Sequence, residues 1–302
     1  MQQVDWSDYQ VFLALAQAGR TGDAAHLLGV DSTTVSRRLK RLEHALGAVL
    51  FERGRDGHQL TEAGETLFDE VSTMARAASR IEDSAEGDGG LGGTLRISVS
   101  EGFGSWFLAR HLPDLADAHP SLTIDLVASS GFLNPSKREA DIAVMLSRPR
   151  SGQLIARKLS DYALRLYATQ DYIEQVGKPQ TPLQLTEGHR LIGYVPELVY
   201  APELVYLDEL HPGLKATLRS SSINAQHRMI AQGAGLGVLP CFIGDSDPRL
   251  IQVLPHHMIL RNFWLVTHAD TNTLARVKTG KDWLLQTVAA NRNVLLSGAS
   301  PG

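Results

Sequence analysis

Residues 31–55 hold the side chains best suited to chemistry, and that chemistry is recognition of a polyanion. Arg37, Arg38, Lys40, Arg41, Arg53 and Arg55 meet only Asp31, Glu43 and Glu52 there, a basic patch in a chain whose net charge is −4. Ser32, Thr33, Thr34 and Ser36 interleave with these bases. On a helix begun by an Asp31/Ser32 cap, Ser32, Thr33, Ser36, Arg37 and Lys40 fall on one side, mostly opposite Val35, Leu39 and Leu42. Hydroxyls and guanidinium groups at such a helix start can reach base edges, and the free N–H groups of its first turn favour phosphate oxygens. The expected set of contacts to double-stranded DNA is Ser32, Thr33, Thr34, Ser36, Arg37, Arg38, Lys40, Arg53 and Arg55. Ser32, Thr33, Ser36 and Arg37 are expected at bases, and Lys40 and Arg53 mainly at phosphates.

No catalytic constellation accompanies this patch. The sequence contains no GxSxG elbow, P-loop or HExxH motif. His256-His257 follows Pro255 without a third ligand at helical spacing, so it reads as a surface loop and not a metal site. Cys241 is the only cysteine; it excludes an internal disulfide framework and reads as a small buried apolar residue. Gly87-Asp88-Gly89-Gly90-Leu91-Gly92-Gly93 fits the spacing GxGxxG. A dinucleotide fingerprint must follow a strand and open a helix, and here the order is reversed, so the segment reads as a hinge. No catalytic residue, metal or cofactor is expected, and the chain does not read as an enzyme.

The elements that must position the patch are legible nearby. Trp6, Tyr9, Phe12, Leu13 and Ala16 recur at helical spacing until Gly19; a shorter helix, Asp23 to Leu28, stops at Gly29; a third runs from Ser32 to about Leu46 and stops at Gly47. Val49-Leu50-Phe51 and Gln59-Leu60-Thr61 flank a Gly-containing turn and suggest a hairpin. A short helix, a tight turn, a helix with an exposed Ser/Thr/Arg start and a hairpin make winged helix-turn-helix geometry over residues 1–60. In the linker, 61–90, the apolar set Leu67, Val71, Met74, Ala78 and Ile81 is spaced 4-3-4-3, a heptad seam. A helix over 62–86 would span roughly 37 Å, and its seam is expected to pair two chains.

Residues 91–302 alternate strand-like and helix-like runs, the pattern of a mostly parallel α/β fold. Strands are predicted at 95–99, 123–128, 141–146, 163–169, 191–195, 236–239 and 262–267, and helices at 103–119, 171–176, 222–232 and 272–290. Two subdomains are expected, roughly 94–162 with 268–302, and 163–267, with a ligand cleft between them. Pro196–Tyr206 reads PELVYAPELVY, a tandem echo to which no function attaches.

The 302 residues suggest two or three domains, and the 43% apolar content suffices to fill their cores. With 29 Lys and Arg against 33 acids, the chain as a whole does not attract nucleic acid or anionic membrane, so binding must be local. No apolar run reaches the roughly 18 residues of a membrane span, and MQQVDWSDYQ lacks the basic flank of a secretory signal. The expectation is a cytoplasmic protein with no membrane partner.

The stretch GRTGDAAHLLGVDSTTVSRRLKRLEHALGAVLFERGRDGHQLTEAGE resembles the winged helix-turn-helix of LysR-type transcriptional regulators. The likeness rests on Ala24-Ala25, Leu28-Gly29-Val30, Val35-Ser36-Arg37, Leu42-Glu43, Leu46-Gly47, Leu50-Phe51-Glu52-Arg53 and Leu60-Thr61 with Gly64. Asp141–Val144 and Gly233–Pro240 are similar to runs of the family's effector domain. The resemblance implies a dimerising linker helix, a periplasmic-binding-protein-like α/β effector domain of two subdomains, a homodimer assembling to a homotetramer, and a small-molecule effector. RNA polymerase is a candidate further partner. One departure is Ser32-Thr33-Thr34, which stands where many members carry Gln-Pro or Gln-Ser, so the family's usual glutamine contact is replaced. The leading reading is a ligand-responsive regulator that binds a pseudo-palindromic operator. The alternative is a cytosolic small-molecule enzyme or binding protein built on the α/β part.

Ligands of open α/β sheets bind beyond the carboxyl ends of strands. Those ends place Ser100, Glu101, Ser129, Ser130 and Ser222 as polar groups, Phe103 and Tyr194 as walls, and Arg148 as the one nearby counter-charge. Glu101 would repel an anion, so the expected effector is neutral or weakly polar.

Overall fold

Asp5 opens α1 (Trp6–Ala18) by accepting from the Ser7 N–H at 2.9 Å, and Gly19 closes it in the left-handed conformation. The helices α2 (Thr21–Leu28) and α3 (Ser32–Leu46) end the same way, at Gly29 and Gly47. The hairpin β1 (Phe51–Gly54) and β2 (Gly57–Leu60) follows, then α4 (Glu62–Ala85). In this computed structural model, residues 4–54, 57–85, 91–129, 139–149 and 153–296 are described. The chain divides into two units, Met1–Gly89 and Gly90–Gly302.

The first unit is built on the apolar faces of its helices. Val11, Phe12 and Leu15 of α1 meet Ala24 and Ala25 of α2, Val35, Leu39 and Leu42 of α3, and Leu50 and Phe51 at the hairpin. The hairpin is moored to the α1–α2 turn, where the His58 N–H donates to the Gly19 carbonyl at 2.8 Å. Gly57 is required there: it has φ +135°, and a Cβ on it would lie 2.4 Å from that same carbonyl oxygen. Thr61 starts α4, its hydroxyl donating to the Val49 carbonyl at 2.7 Å and accepting from the Gly64 N–H at 3.0 Å.

The heptad reading of α4 needs correction at its centre. Val71 is 0% exposed and belongs to the core of its own chain, with Leu67 half-buried against it. The cause is that α4 packs on α1, so part of the seam is covered within the chain. Ala78 is half-buried, and Met74 remains 46% exposed. The side chain of Ile81 lies outside the described residues, as does most of the glycine hinge.

The second unit carries one mixed nine-stranded sheet. Its strands are β3 (Gly93–Ser100), β4 (Leu122–Ser129), β5 (Ile142–Met145), β6 (Leu154–Thr169), β7 (Leu191–Gly193), β8 (Leu218–Arg219), β9 (Leu236–Pro240), β10 (Leu250–Val253) and β11 (Ile259–His268). The helices are α5 (Leu112–Ala118), α6 (Gln170–Val176), α7 (Leu207–Leu210), α8 (Ile223–Ala231), α9 (Cys241–Gly244), α10 (Ala275–Ala290) and α11 (Arg292–Leu295). The order is β4-β3-β5-β11-β6-β9-β7-β8, with β10 also on β6. The ends of the sheet are parallel, as predicted, but the long strands β6 and β11 pair antiparallel through its middle. The boundary expected near 163 therefore falls inside β6. The helix predicted over 103–119 is broken into a π turn (Phe103–Phe107), a 3₁₀ turn and α5, because Pro113 has no N–H to donate and restarts the helix. Cys241 is fully buried as expected, and burial pushes its thiol up to about 11.

Candidate nucleic-acid interface and effector cavity

The N-terminus of α3 is organised by Asp31. Its carboxylate accepts from the Thr34 N–H at 2.8 Å, from the Thr34 hydroxyl at 2.8 Å and from the Thr33 hydroxyl. These hydroxyls hold Asp31 well below the usual carboxylate range, so the cap is charged at any working pH. Ser36 donates to the Ser32 carbonyl at 3.0 Å. The hydroxyls of Thr33, Thr34 and Ser36 are thus committed as donors within the helix and remain available to DNA as acceptors.

Ser32, Thr33, Ser36, Arg37 and Lys40 are exposed on one face, and Thr34 and Arg38 are half-buried at its margin. Arg41, also basic and nearby, turns the other way. It forms a forked pair with Asp8, whose carboxylate is fully buried in α1, and so ties α3 to α1. The Arg53 backbone lies in β1, paired with His58; its side chain and Arg55 lie outside the described residues.

In the second unit the carboxyl ends of β3, β5, β7, β8 and β9 converge on a small cavity whose floor is crossed by β6 and β11. Ser100, Glu101, Phe103 and Tyr194, the residues chosen from strand ends, line it. At the floor, a bulge in β11 between Phe263 and Trp264 accompanies stacking of Phe263 on Tyr162, with ring centroids 4.1 Å apart. Phe103 lies 4.3 Å from Phe263 on the other side.

Glu101 has a second task. It accepts from the Ser222 hydroxyl at 2.8 Å, the Ile223 N–H at 3.0 Å and the Asn224 side-chain amide at 3.0 Å. Its carboxylate occupies the start of α8, the position where an anionic ligand would otherwise dock. Ser222 is consumed in this arrangement, also capping α8 through the Ala225 N–H at 3.1 Å. Ser221, its neighbour, joins Ser100 in the cavity wall instead.

Two sequence-based choices, Ser129 and Arg148, are not brought to the cavity. Ser129 ends β4, the edge strand, with β3 between it and the site. Ser130 lies outside the described residues. Arg148 is exposed, its guanidinium 5.5 Å from the ring centroid of Trp264 on the neighbouring β11, so it is held on a ring and not aimed at a ligand.

Sequence reasoning missed most of the aromatic wall: Tyr162, Tyr200, Tyr206, Phe242 and Phe263. A signal existed in the PELVY echo. Its two copies form successive 3₁₀ turns, and each delivers its tyrosine, Tyr200 and Tyr206, to the cavity. The copies are not equivalent, since Leu198 is 61% exposed and Leu204, in the wall, is 9% exposed. Burial pushes Tyr200 up to about 12 and raises Tyr162, Tyr194 and Tyr206 as well, so the phenols stay neutral.

Residues 6–65 match the family described as bacterial regulatory helix-turn-helix protein, lysR family, and residues 88–289 match the LysR substrate binding domain. The chain is 29% identical over 296 residues to the Mau operon transcriptional activator of Paracoccus denitrificans, covering 95% of this chain and 99% of the relative. It is 26% identical over 289 residues to the HTH-type transcriptional regulator CrgA of Neisseria meningitidis serogroup C, covering 93% and 96%. The solved structure of CrgA, a LysR-type transcriptional regulator from Neisseria meningitidis, superposes with TM-score 0.58 at 25% identity over 94% of this chain and 99% of that one. A full-length OxyR variant from Pseudomonas aeruginosa shares the fold, with TM-score 0.68 at 19% identity over 95% and 98%.

Proposed function

The chain belongs to the LysR family of transcriptional regulators, and from that premise we propose that it reads a pseudo-palindromic operator through the N-terminal face of α3. The observation that carries this reading is the exposed row Ser32, Thr33, Ser36, Arg37 and Lys40, set on a capped helix beside a moored hairpin. Ser32 and Arg37 read bases as donors, and Thr33 and Ser36, whose protons are spent inside the helix, meet them as acceptors. Lys40 and Arg53 serve phosphates.

The chain acts as a homodimer, assembling to a homotetramer, with α4 contributing its exposed Met74 side. Two-fold symmetry then places half-sites near one helical turn apart. A small molecule in the aromatic cavity shifts the regulator between states of different affinity for DNA. The protein works in the cytoplasm, with RNA polymerase as its further partner, and carries out no turnover of its effector. Among the described residues no helix is long and apolar enough to cross a membrane.

The test is genome-wide mapping of bound DNA in host cells, followed by fluorescence anisotropy on the recovered sites. Discrete sites with two-fold related half-sites, bound far more tightly than scrambled DNA, are expected. Equal affinity for recovered and scrambled DNA would overturn the proposal.

A further inference from the structure

The lining of the cavity has a definite electrostatic character. Seven of its residues are Phe or Tyr, one is Glu101, and none is Lys, Arg or His among the described residues. Ring faces are electronegative and favour a desolvated cation placed over them. Glu101 contributes a carboxylate whose three partners are neutral donors at the start of α8, so its charge is only partly offset.

A second carboxylate lies close by. Glu203, in the second PELVY turn, has a buried Oε2 with no hydrogen-bond partner. The nearest guanidinium, Arg261, is committed elsewhere: it donates to the Glu203 carbonyl at 3.1 Å and pairs with the Glu209 carboxylate. An anion would meet ring faces and Glu101 with no counter-charge in the wall. A neutral ligand could use Ser100, Ser221 and the phenols but would leave the carboxylate field unanswered.

We propose that the effector is a small organic cation, an alkyl- or quaternary ammonium, seated against the part-exposed rings of Tyr194 and Tyr200 and balanced by Glu101. The assignment departs from the neutral effector expected from sequence, and it rests on the reading of this cavity as the effector site.

The test is isothermal titration of the full chain with choline, with its uncharged isostere 3,3-dimethylbutan-1-ol, and with 3,3-dimethylbutanoate. Choline should bind about tenfold more tightly than the alcohol, the size expected of a desolvated cation over rings, and the carboxylate more weakly than either. Glu101→Gln should narrow the preference for the cation. Because Glu101 also anchors α8, Tyr194→Leu is the second variant; it should weaken choline several-fold and leave the alcohol nearly unchanged.

The proposal falls if the alcohol or the carboxylate binds as tightly as choline, or if neither variant narrows the preference. It falls equally if neither choline nor n-butylammonium binds at concentrations up to about 10 mM. Operator binding by the same preparation separates the two levels. Intact DNA binding without cation preference defeats this inference alone, whereas loss of specific DNA binding defeats the regulator reading.

Discussion

Val71→Ala distinguishes a core residue from a residue of an interchain seam. Val71 is fully buried among the side chains that hold the first unit together. The substitution deletes two carbons, worth about 0.8 kcal/mol each. The cavity left behind adds about 24 cal/mol per Å³ that the neighbours do not refill. Together these give a loss of roughly 2 kcal/mol. A unit of this size shifts its melting temperature by about 4–8 °C per kcal/mol, so the thermal transition of the first unit should fall by roughly 8–16 °C. Scanning calorimetry of the full chain at two protein concentrations, with sedimentation velocity on the same samples, reads both consequences. The core assignment predicts a lower transition with an unchanged oligomer. Met74→Ala should do the reverse, weakening association with little effect on the transition. A Val71→Ala variant that melts normally but dissociates would refute the reasoning.

Three further outcomes follow from the same geometry. Lys40→Ala should weaken specific and random DNA alike and reduce the slope of log affinity against log salt by about 1, read by anisotropy across a salt series. Gly64→Ala would place a Cβ 2.2 Å from the Leu50 carbonyl oxygen, so calorimetry should show the first unit destabilised by about 1–3 kcal/mol. His227 is held below its ordinary value by burial, with Asp247, 2.9 Å away, pulling in the opposite direction. A depressed folded value means stability is complete above the unfolded value of about 6.5 and declines as pH falls below it. Urea unfolding of the second unit should therefore show lower stability at about pH 5.5 than at 7.5, and His227→Gln should flatten that difference. An acid loss identical in the variant would exclude His227 as its source.

The first unit was legible because its signals are local. Asp31 caps α3, Gly19, Gly29 and Gly47 end the first three helices, and the exposed face of α3 follows from periodicity alone. The role of Val71 was not legible, since a 4-3 repeat names the apolar side of a helix but not the neighbour that covers it. In the second unit, Ser100, Glu101, Phe103 and Tyr194, chosen from strand ends, line one cavity. Tyr162 and Phe263 are about a hundred positions apart and meet only through the pairing of β6 with β11. The short β10 was missed, and Ser129 was misplaced, because strand order across a sheet is not written in any single strand. Glu101 was read as a repelling charge at the mouth; that it also anchors α8 depends on a contact with residues 222–224 that no motif announces.

The central claim is that the exposed start of α3 reads DNA sequence. It is tested most directly by the ratio of operator affinity to scrambled-DNA affinity, measured by anisotropy at one salt concentration for the parent chain and Arg37→Ala. The account predicts that operator binding falls by about tenfold or more while scrambled DNA is bound nearly as before, so the ratio collapses. Equal losses on both DNAs would reduce Arg37 to a phosphate contact and contradict the claim.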